Sequence, residues 1–393
     1  MKKLTFNAIA FYISILSAFS QNSVPDSSYS SRRLKIAEVN LVSAYYSQNG
    51  NHSAVTGGIG TEKLTDISNT IDLKLTRSDK KNREHNINLE VGVDHYTSAS
   101  SDKIDPSTVS SASYSDTRFY PSLGYSVTNP KSGTTVGVTG SFSSEYDYTS
   151  GGLALNFAKA SKDNNRELSL KVQAFMDQWL VILPIELRHS REDDNYSPRN
   201  SYSASLTYSQ VVNQRFQFML LADLVTQKGL LGTSYQRVYF NNNSETYEQL
   251  PDKRLKIPLG IKANYFLSDR VIFRSFYRYY KDDWGIKAQT AELEIPVKIN
   301  PFFSVSPFYR FYSQNAADYF APYKAHSVSE KYFTSDYDLS QFKSQFIGAG
   351  FRFTPANGLF GMEHWSMLEI RYGHYKRTND LTSNIVSLNL KFK

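Results

Sequence analysis

An all-β fold, a closed antiparallel transmembrane β-barrel of about 16 strands with long extracellular loops and short periplasmic turns, is what this 393-residue sequence predicts. Three observations carry that expectation. Long runs separate their apolar and charged residues by parity. The connections between runs alternate between short and long. Aromatic residues make up 14% of a chain whose overall composition is polar. A barrel reconciles the last pair, because only alternate strand residues need be apolar and aromatic girdles mark both membrane interfaces.

The first twenty residues read as a secretory signal: Lys2 and Lys3, an apolar core near 8–19, and small residues Ala18 and Ser20 before a cleavage site at Gln21. The core is too short, and too interrupted by Ser14 and Ser17, for a membrane helix. Residues 21–34 follow as a serine-rich periplasmic lead without periodicity, and the barrel domain occupies 35–393. No later apolar run reaches the ~18 residues of a membrane helix. An exported chain of amphipathic strands belongs in a bacterial outer membrane.

Strands are expected at 35–47, 64–77, 84–97, 116–128, 133–147, 150–161, 166–178, 199–210, 215–228, 253–266, 270–282, 285–299, 302–314, 342–354, 366–378 and 382–393. The stretch 254–314 shows the pattern best. Leu255, Ile257, Leu259 and Ile261 alternate with Lys256, Gly260 and Lys262. Phe273, Tyr277 and Tyr279 oppose Arg274, Arg278 and Tyr280. Ala291 and Leu293 oppose Glu292 and Glu294, and Tyr309 and Phe311 oppose Arg310 and Tyr312. Alternate strand residues face opposite sides. The runs also exceed the ~6 residues usual in soluble domains and suit a tilted membrane crossing. Pro258, Pro296 and Pro307 lie inside them, where a missing N–H predicts bulges.

Connections 78–83, 129–132, 162–165, 211–214, 267–269 and 300–301 are short, and 355–365 somewhat longer. Between them fall the long 48–63, 98–115, 179–198, 229–252 and 315–341, with short exceptions at 148–149, 283–284 and 379–381. That alternation places both termini in the periplasm. The loops 179–198, 229–252 and 315–341 are expected to fold over or into the mouth, and Tyr235, Tyr239, Tyr247, Tyr319, Tyr323 and Tyr332 argue that they are not disordered tails.

Several segments, in this order, resemble an uncharacterised outer-membrane barrel family known as domain of unknown function 3570: SEYDYTSGGLALNFA (144–158), KDNNREL (162–168), YSQVVNQRFQFMLLADLVTQKG (208–229), FYRYYKDDWGI (276–286), PFYRFYSQNAADYF (307–320) and TSDYDLSQF (334–342). The resemblance spans nearly the whole mature chain. It implies fold and location but no activity, and some members are thought to neighbour genes for flavin-attachment and thioredoxin-like proteins. The final NIVSLNLKFK resembles the signal read by the barrel-assembly machinery, departing from it in that Lys393 follows Phe392.

The densest polar set is the lumen candidate Arg274, Arg278, Tyr280, Glu292, Glu294, Arg310 and Tyr312. One reading is a salt-bridge network filling the lumen, since buried charges must be paired. The other is a constriction orienting an anionic or aromatic solute on the arginine donor fork. Loop carboxylates Asp282, Asp283, Asp318, Asp336 and Asp338, with Glu192, Asp193 and Asp194, show no calcium-loop spacing and read as solvated charge. The seven histidines form no close ligand pair, so no metal and no cofactor are expected. The absence of cysteine excludes thiolate sites, disulfides and a lipoprotein anchor. The net charge of +7 is dispersed, which argues against nucleic acid.

The functional expectation is a non-enzymatic, porin-like channel or solute-binding transport barrel in contact with outer-membrane lipid. Alternatives are a plugged scaffold docking a periplasmic or surface partner, redox- or flavin-linked if the family's neighbourhood applies, and a soluble secreted all-β binding protein. A rim hydrolase using His95, His189 or His326 is a further alternative, although G-x-S-x-G is absent.

Overall fold

Sixteen antiparallel crossings close on themselves. The computed structural model describes residues 33–97, 115–181, 195–232 and 236–392. The expected signal, all but the end of the lead, loop stretches 98–114 and 182–194 (with His189, Glu192, Asp193 and Asp194), Tyr235 and Lys393 lie outside the described residues.

The strands are β1 (Lys35–Asn49), β2 (Leu64–Ser78), β3 (Glu84–Thr97), β4 (Ser115–Asn129), β5 (Thr134–Ser144), β6 (Tyr148–Ala160), β7 (Arg166–Val181), β8 (Asn195–Asn213) and β9 (Phe216–Gly229). A small hairpin follows, β10 (Arg237–Tyr239) and β11 (Glu245–Tyr247). The wall resumes with β12 (Lys253–Phe266), β13 (Ile272–Asp282), β14 (Lys287–Glu294), β15 (Val297–Lys298), β16 (Phe303–Gln314), β17 (Phe342–Phe353), β18 (Trp365–Arg377) and β19 (Thr382–Phe392). Each wall strand pairs with its sequence neighbour, β14 and β15 form one interrupted crossing beside β16, and β1 pairs with β19 to close the cylinder. Boundaries shift slightly from expectation. β8 begins at Asn195, and the β5–β6 turn sits at 145–147, with Tyr148 and Thr149 already in β6.

The outward face is the apolar one. Leu153, Leu155 and Phe157 on β6, and Leu255, Leu259 and Ile261 on β12, are exposed large hydrophobics. Large exposed apolar surface in a folded chain marks contact with something apolar. Cross-strand partners share a face, so the registers sort the remaining residues. Every carboxylate in a described wall strand faces inward, from Glu38 on β1 to Glu369 on β18. The clusters of buried apolar residues lie in the connections and mouth, not between two sheets: Val238, Phe240 and Phe333 form one, Ile286, Ala288 and Ala317 the other.

The expected proline bulges do not occur. Ala263 to Lys256 on β12 keep one register with β13 through Pro258, and β14 and β15 keep theirs with β16 across Ile295 and Pro296. Pro307 pairs with Ala349 in line with its neighbours. Flanking bonds hold the register: Ile295 N donates to Pro307 O at 2.9 Å, and Ile272 N to Pro296 O at 3.1 Å. Each proline deletes one donor without displacing the chain. Register shifts fall elsewhere, at Ile36/Glu38, Val211/Asn213 and Trp365/Met367, all near the rim that holds both chain ends. We call this the terminal rim and the opposite one the loop rim.

Turns at the terminal rim are locally encoded. Asp79 Oδ1 accepts from Lys81 N and Arg83 N at 2.8 and 2.9 Å, and Asn82 takes φ 57°. These bonds hold the Asp79 carboxyl well below the usual carboxylate range. At 161–165, hydrogen bonds from Ser161 and Asn165 hold Asp163 at about 2, beside Asn164 at φ 56°. Asparagine tolerates this left-handed backbone better than other side chains.

Candidate functional site: a charged lumen beneath a folded lid

At the loop rim, three connections pack into one lid. The 230–252 connection carries the β10–β11 hairpin, whose Val238, with Phe240 beyond the strand, meets Phe333 of the 315–341 connection. Main-chain bridges join Phe240 to His326, and Gln249 to Phe333. His326 is buried: Nε2 donates to Thr334 O at 2.9 Å, and Nδ1 lies 2.6 Å from Glu330. The Thr334 hydroxyl donates to Glu248. The 50–63 connection joins through His52, whose ring stacks on Tyr337 at 3.7 Å and 7°.

The lid turns into the barrel. Ala317, Phe320 and Leu339 pack with Tyr280 and Tyr312, which project inward from β13 and β16. Arg377 of β18 pairs with Asp338, and Gln314 Nε2 donates to Ser340 O at 2.6 Å. The structure thus places Tyr280 and Tyr312 at the lid contact. The Tyr280 hydroxyl donates to Asp282 at 2.8 Å.

The loop carboxylates do not converge. Asp282 is the last residue of β13, fully buried, and bonded to Arg254 at 2.5 Å. Its Oδ1 accepts from Trp284 N and Ile286 N at 3.1 and 2.9 Å, so it builds the β13–β14 turn. Asp283 accepts from Leu255 N at 2.9 Å, Asp318 lies against Gly285, and Asp336 caps the short helical turn at 337–339. Burial, reinforced by Asp338 beside it, pushes Asp336 up to about 7. The carboxylates that do converge among the described residues are Asp116, Glu145 and Asp147. Burial raises both Glu145 and Asp147 above their ordinary values. This set joins the start of β4 to the β5–β6 turn, and no local spacing announces it.

Arg274, Arg278, Glu292, Glu294 and Arg310 all face the lumen. Arg310 meets Glu292 at 2.6 Å, and Arg274 meets Glu294 at 3.4 Å. Glu294 also takes Arg371 of β18 at 3.0 Å, and Arg371 continues to Glu369 at 3.1 Å and Glu369 to Arg352 at 2.6 Å. Arg371 reaches across two strands because Gly348 and Gly350 of β17 and Gly373 of β18 leave the wall flat. A Cβ on Gly350 would lie 3.2 Å from its guanidinium, and Phe308 and Phe346 lie over the other two. Arg278 has no ion pair among the described residues.

The pairs run along the wall and none spans the lumen, among the described residues. The two halves differ in sign. On β1–β9 the inward charges are Glu38, Asp66, Asp72, Glu84, Glu90, Asp94, Asp116, Glu167, Asp177 and Asp223, against Lys35, Lys74, Arg118, Lys171 and Arg199. On β12–β18 they are Arg254, Lys256, Lys262, Arg274, Arg278, Lys298, Arg310, Arg352, Arg371 and Arg377, against Asp282, Glu292, Glu294 and Glu369. An acidic half-wall faces a basic one.

Two cavities lie on this lining. Near the terminal rim, about 490 Å³ is bounded by Glu167, Ser209 and Gln217 on one side and by Lys262, Arg274, Glu292 and Glu294 on the other. Towards the loop rim, about 430 Å³ is lined by Glu90, Arg118, Tyr120, Asp177, Arg199 and Gln227. Arg199 there bonds Asp177 at 2.8 Å and lies over the Tyr148 and Trp179 rings. Sequence reading missed Asp177, Arg199 and Arg371. Their strand parity was the one signal that could have found them, and no motif drew attention to them. Of the histidines weighed for hydrolysis, His326 sits inside the lid core, and His95 faces outward, 2.9 Å from Thr117.

A family model described as "Protein of unknown function (DUF3570)" matches residues 80–384. No curated protein matches the sequence. Among solved structures, the chain is similar to a BenF-like porin from Pseudomonas fluorescens Pf-5, at 11% identity over 90% of this chain and 98% of that one, TM-score 0.42. It is similar to the outer membrane protein OpdK from Pseudomonas aeruginosa, at 8% identity over 90% and 97%, TM-score 0.39. The siderophore receptor PirA from Acinetobacter baumannii aligns at 11% identity over 86% of this chain and 53% of that one, TM-score 0.46.

Proposed function

The chain belongs to the DUF3570 family of proteins of unknown function, and from that premise we propose an outer-membrane barrel that passes small polar solutes through a lumen with walls of opposite charge. The observation that carries this reading is the division of inward charge, with no ion pair joining the acidic wall to the basic one among the described residues. A lumen sealed by its own salt bridges would join the acidic half to the basic half. Here Asp72, Glu90 and Asp223 on one side, and Lys262, Arg278 and Lys298 on the other, face the lumen without ion pairs among the described residues.

Charged linings with low-dielectric walls concentrate the field on whatever enters. A solute bearing both signs would lie across this lumen with its anionic end towards β12–β18. The apolar outer face supports membrane insertion, since every backbone group of a closed barrel is paired within it. The longer connections support a loop rim on the cell surface and both termini in the periplasm. The lid, packed on Tyr280 and Tyr312, narrows the mouth over the basic half.

The test is reversal potential and conductance in planar bilayers. Arg310 is about half exposed and Glu292 partly so, and their pair contributes about 1 kcal/mol or less to stability. Replacing Arg278 and Arg310 with Ala should therefore leave assembly intact and shift selectivity from anions towards cations. A correctly assembled variant with unchanged conductance and selectivity would overturn the reading.

A further inference from the structure

The outward face of the barrel is cationic at the loop rim and lacks strand carboxylates among the described residues. Lys228, Lys253, Lys281, Lys287, Lys343 and Lys376 all take outward register positions there, on β9 and β12–β18. All six are exposed, and none forms an ion pair among the described residues. Two like-charged pairs stand directly opposite one another, Lys228 with Lys253 and Lys281 with Lys287. Like charges so placed destabilise a sheet unless a counter-charge lies between them. No described strand residue on this face supplies one.

The same face holds a groove of about 470 Å³. Its floor towards the barrel middle is Tyr277, Ala291 and Phe311, and towards the rim it is lined by Lys287, Ser313 and Lys343. Ser313 is the register partner of Lys343, so hydroxyl and ammonium share one level. Apolar surface below and cationic donors above match the gradient of a membrane lipid, acyl chain to headgroup. Resting on the outer-membrane reading and its orientation, we propose that this groove binds a phosphate-bearing lipid of the outer leaflet. The headgroup phosphate sits among Lys281, Lys287, Ser313 and Lys343, and an acyl chain lies along Phe311 and Ala291. The lipid carries a counter-charge that the strands themselves do not place on this face.

The test is native mass spectrometry of the full-length barrel in mild detergent, titrated with dimyristoyl phosphatidic acid, dimyristoyl phosphatidylcholine, or inorganic phosphate. Retention of phosphatidic acid about tenfold above phosphatidylcholine is expected. The variant K281Q/K287Q/K343Q should lose that preference, whereas K159Q, outward at the opposite rim, should keep it. Equal retention of both lipids overturns the proposal, as does an unaltered preference in the triple variant. Competition by millimolar inorganic phosphate as effective as phosphatidic acid would reduce the groove to a simple anion site and also overturn it. Heat-modifiable migration of each variant is read alongside. Its absence in the unmutated protein would count against the membrane barrel itself, whereas its presence without lipid preference counts only against the groove.

Discussion

Asp282 illustrates how much one side chain can settle. It neutralises Arg254, accepts two turn amides and the Tyr280 hydroxyl, and is fully buried. Removing one partner of a buried pair costs about 3–5 kcal/mol, because the other charge is left uncompensated. D282A should therefore lower the urea midpoint of the folded barrel markedly. D282N, which keeps an acceptor for the turn, should do less damage. Equal, small effects would show that Arg254 finds water instead. Asp336 gives a pH signature. Its folded-state value of about 7 lies above the ordinary 3.8, so the folded lid keeps a proton that the unfolded chain has released. Its contribution is greatest below the unfolded value, declines as pH rises through about 7, and is level beyond. Protease clipping within 315–341 should accelerate over that window and slope less steeply in D336N. Glu62, also raised by burial and by Asp338, leaves a residual slope.

At the scale of elements, the strands were legible and so was the folding of 229–252 and 315–341 over the mouth, but the contacts that hold the lid were not. The period of two is a local property, so Leu255, Ile257 and Leu259 declared their face without reference to any partner. Prolines misled for a related reason. Sequence registers a missing donor at Pro258 or Pro296, but whether the ladder slips depends on flanking pairs, and those pairs hold. The lid rests on contacts with no sequence period, such as the His52–Tyr337 stack and the Phe240–Phe333 edge contact at 5.2 Å. Truncating Phe333 should cost the lid about 3 kcal/mol. The expected readout is faster proteolysis at 315–341 with larger single-channel conductance. Unchanged conductance despite faster clipping would place the lid outside the solute path.

Across the whole molecule, the inward direction of Arg278 and Glu292 followed from parity, but the polarity of the lumen did not. It emerges only when closure sets β1–β9 opposite β12–β18. Arg371 bonding Glu294 was likewise hidden, because three glycines on two strands had to fall into register first. If selectivity comes from this field, it should fade with ionic strength. Near 1 M salt the screening length is about 3 Å, and the ion preference measured in dilute buffer should largely vanish. A preference that survives would point to a steric filter.

The cylinder closes by joining its first strand to its last, Val39 against Phe392 through Asn49 against Thr382. Until those final residues arrive, the chain is an open ribbon with two raw margins, each able to recruit foreign strands. Closure therefore has to wait for the tail. Clipping before Thr382 would yield an aggregating ribbon and not a narrower pore.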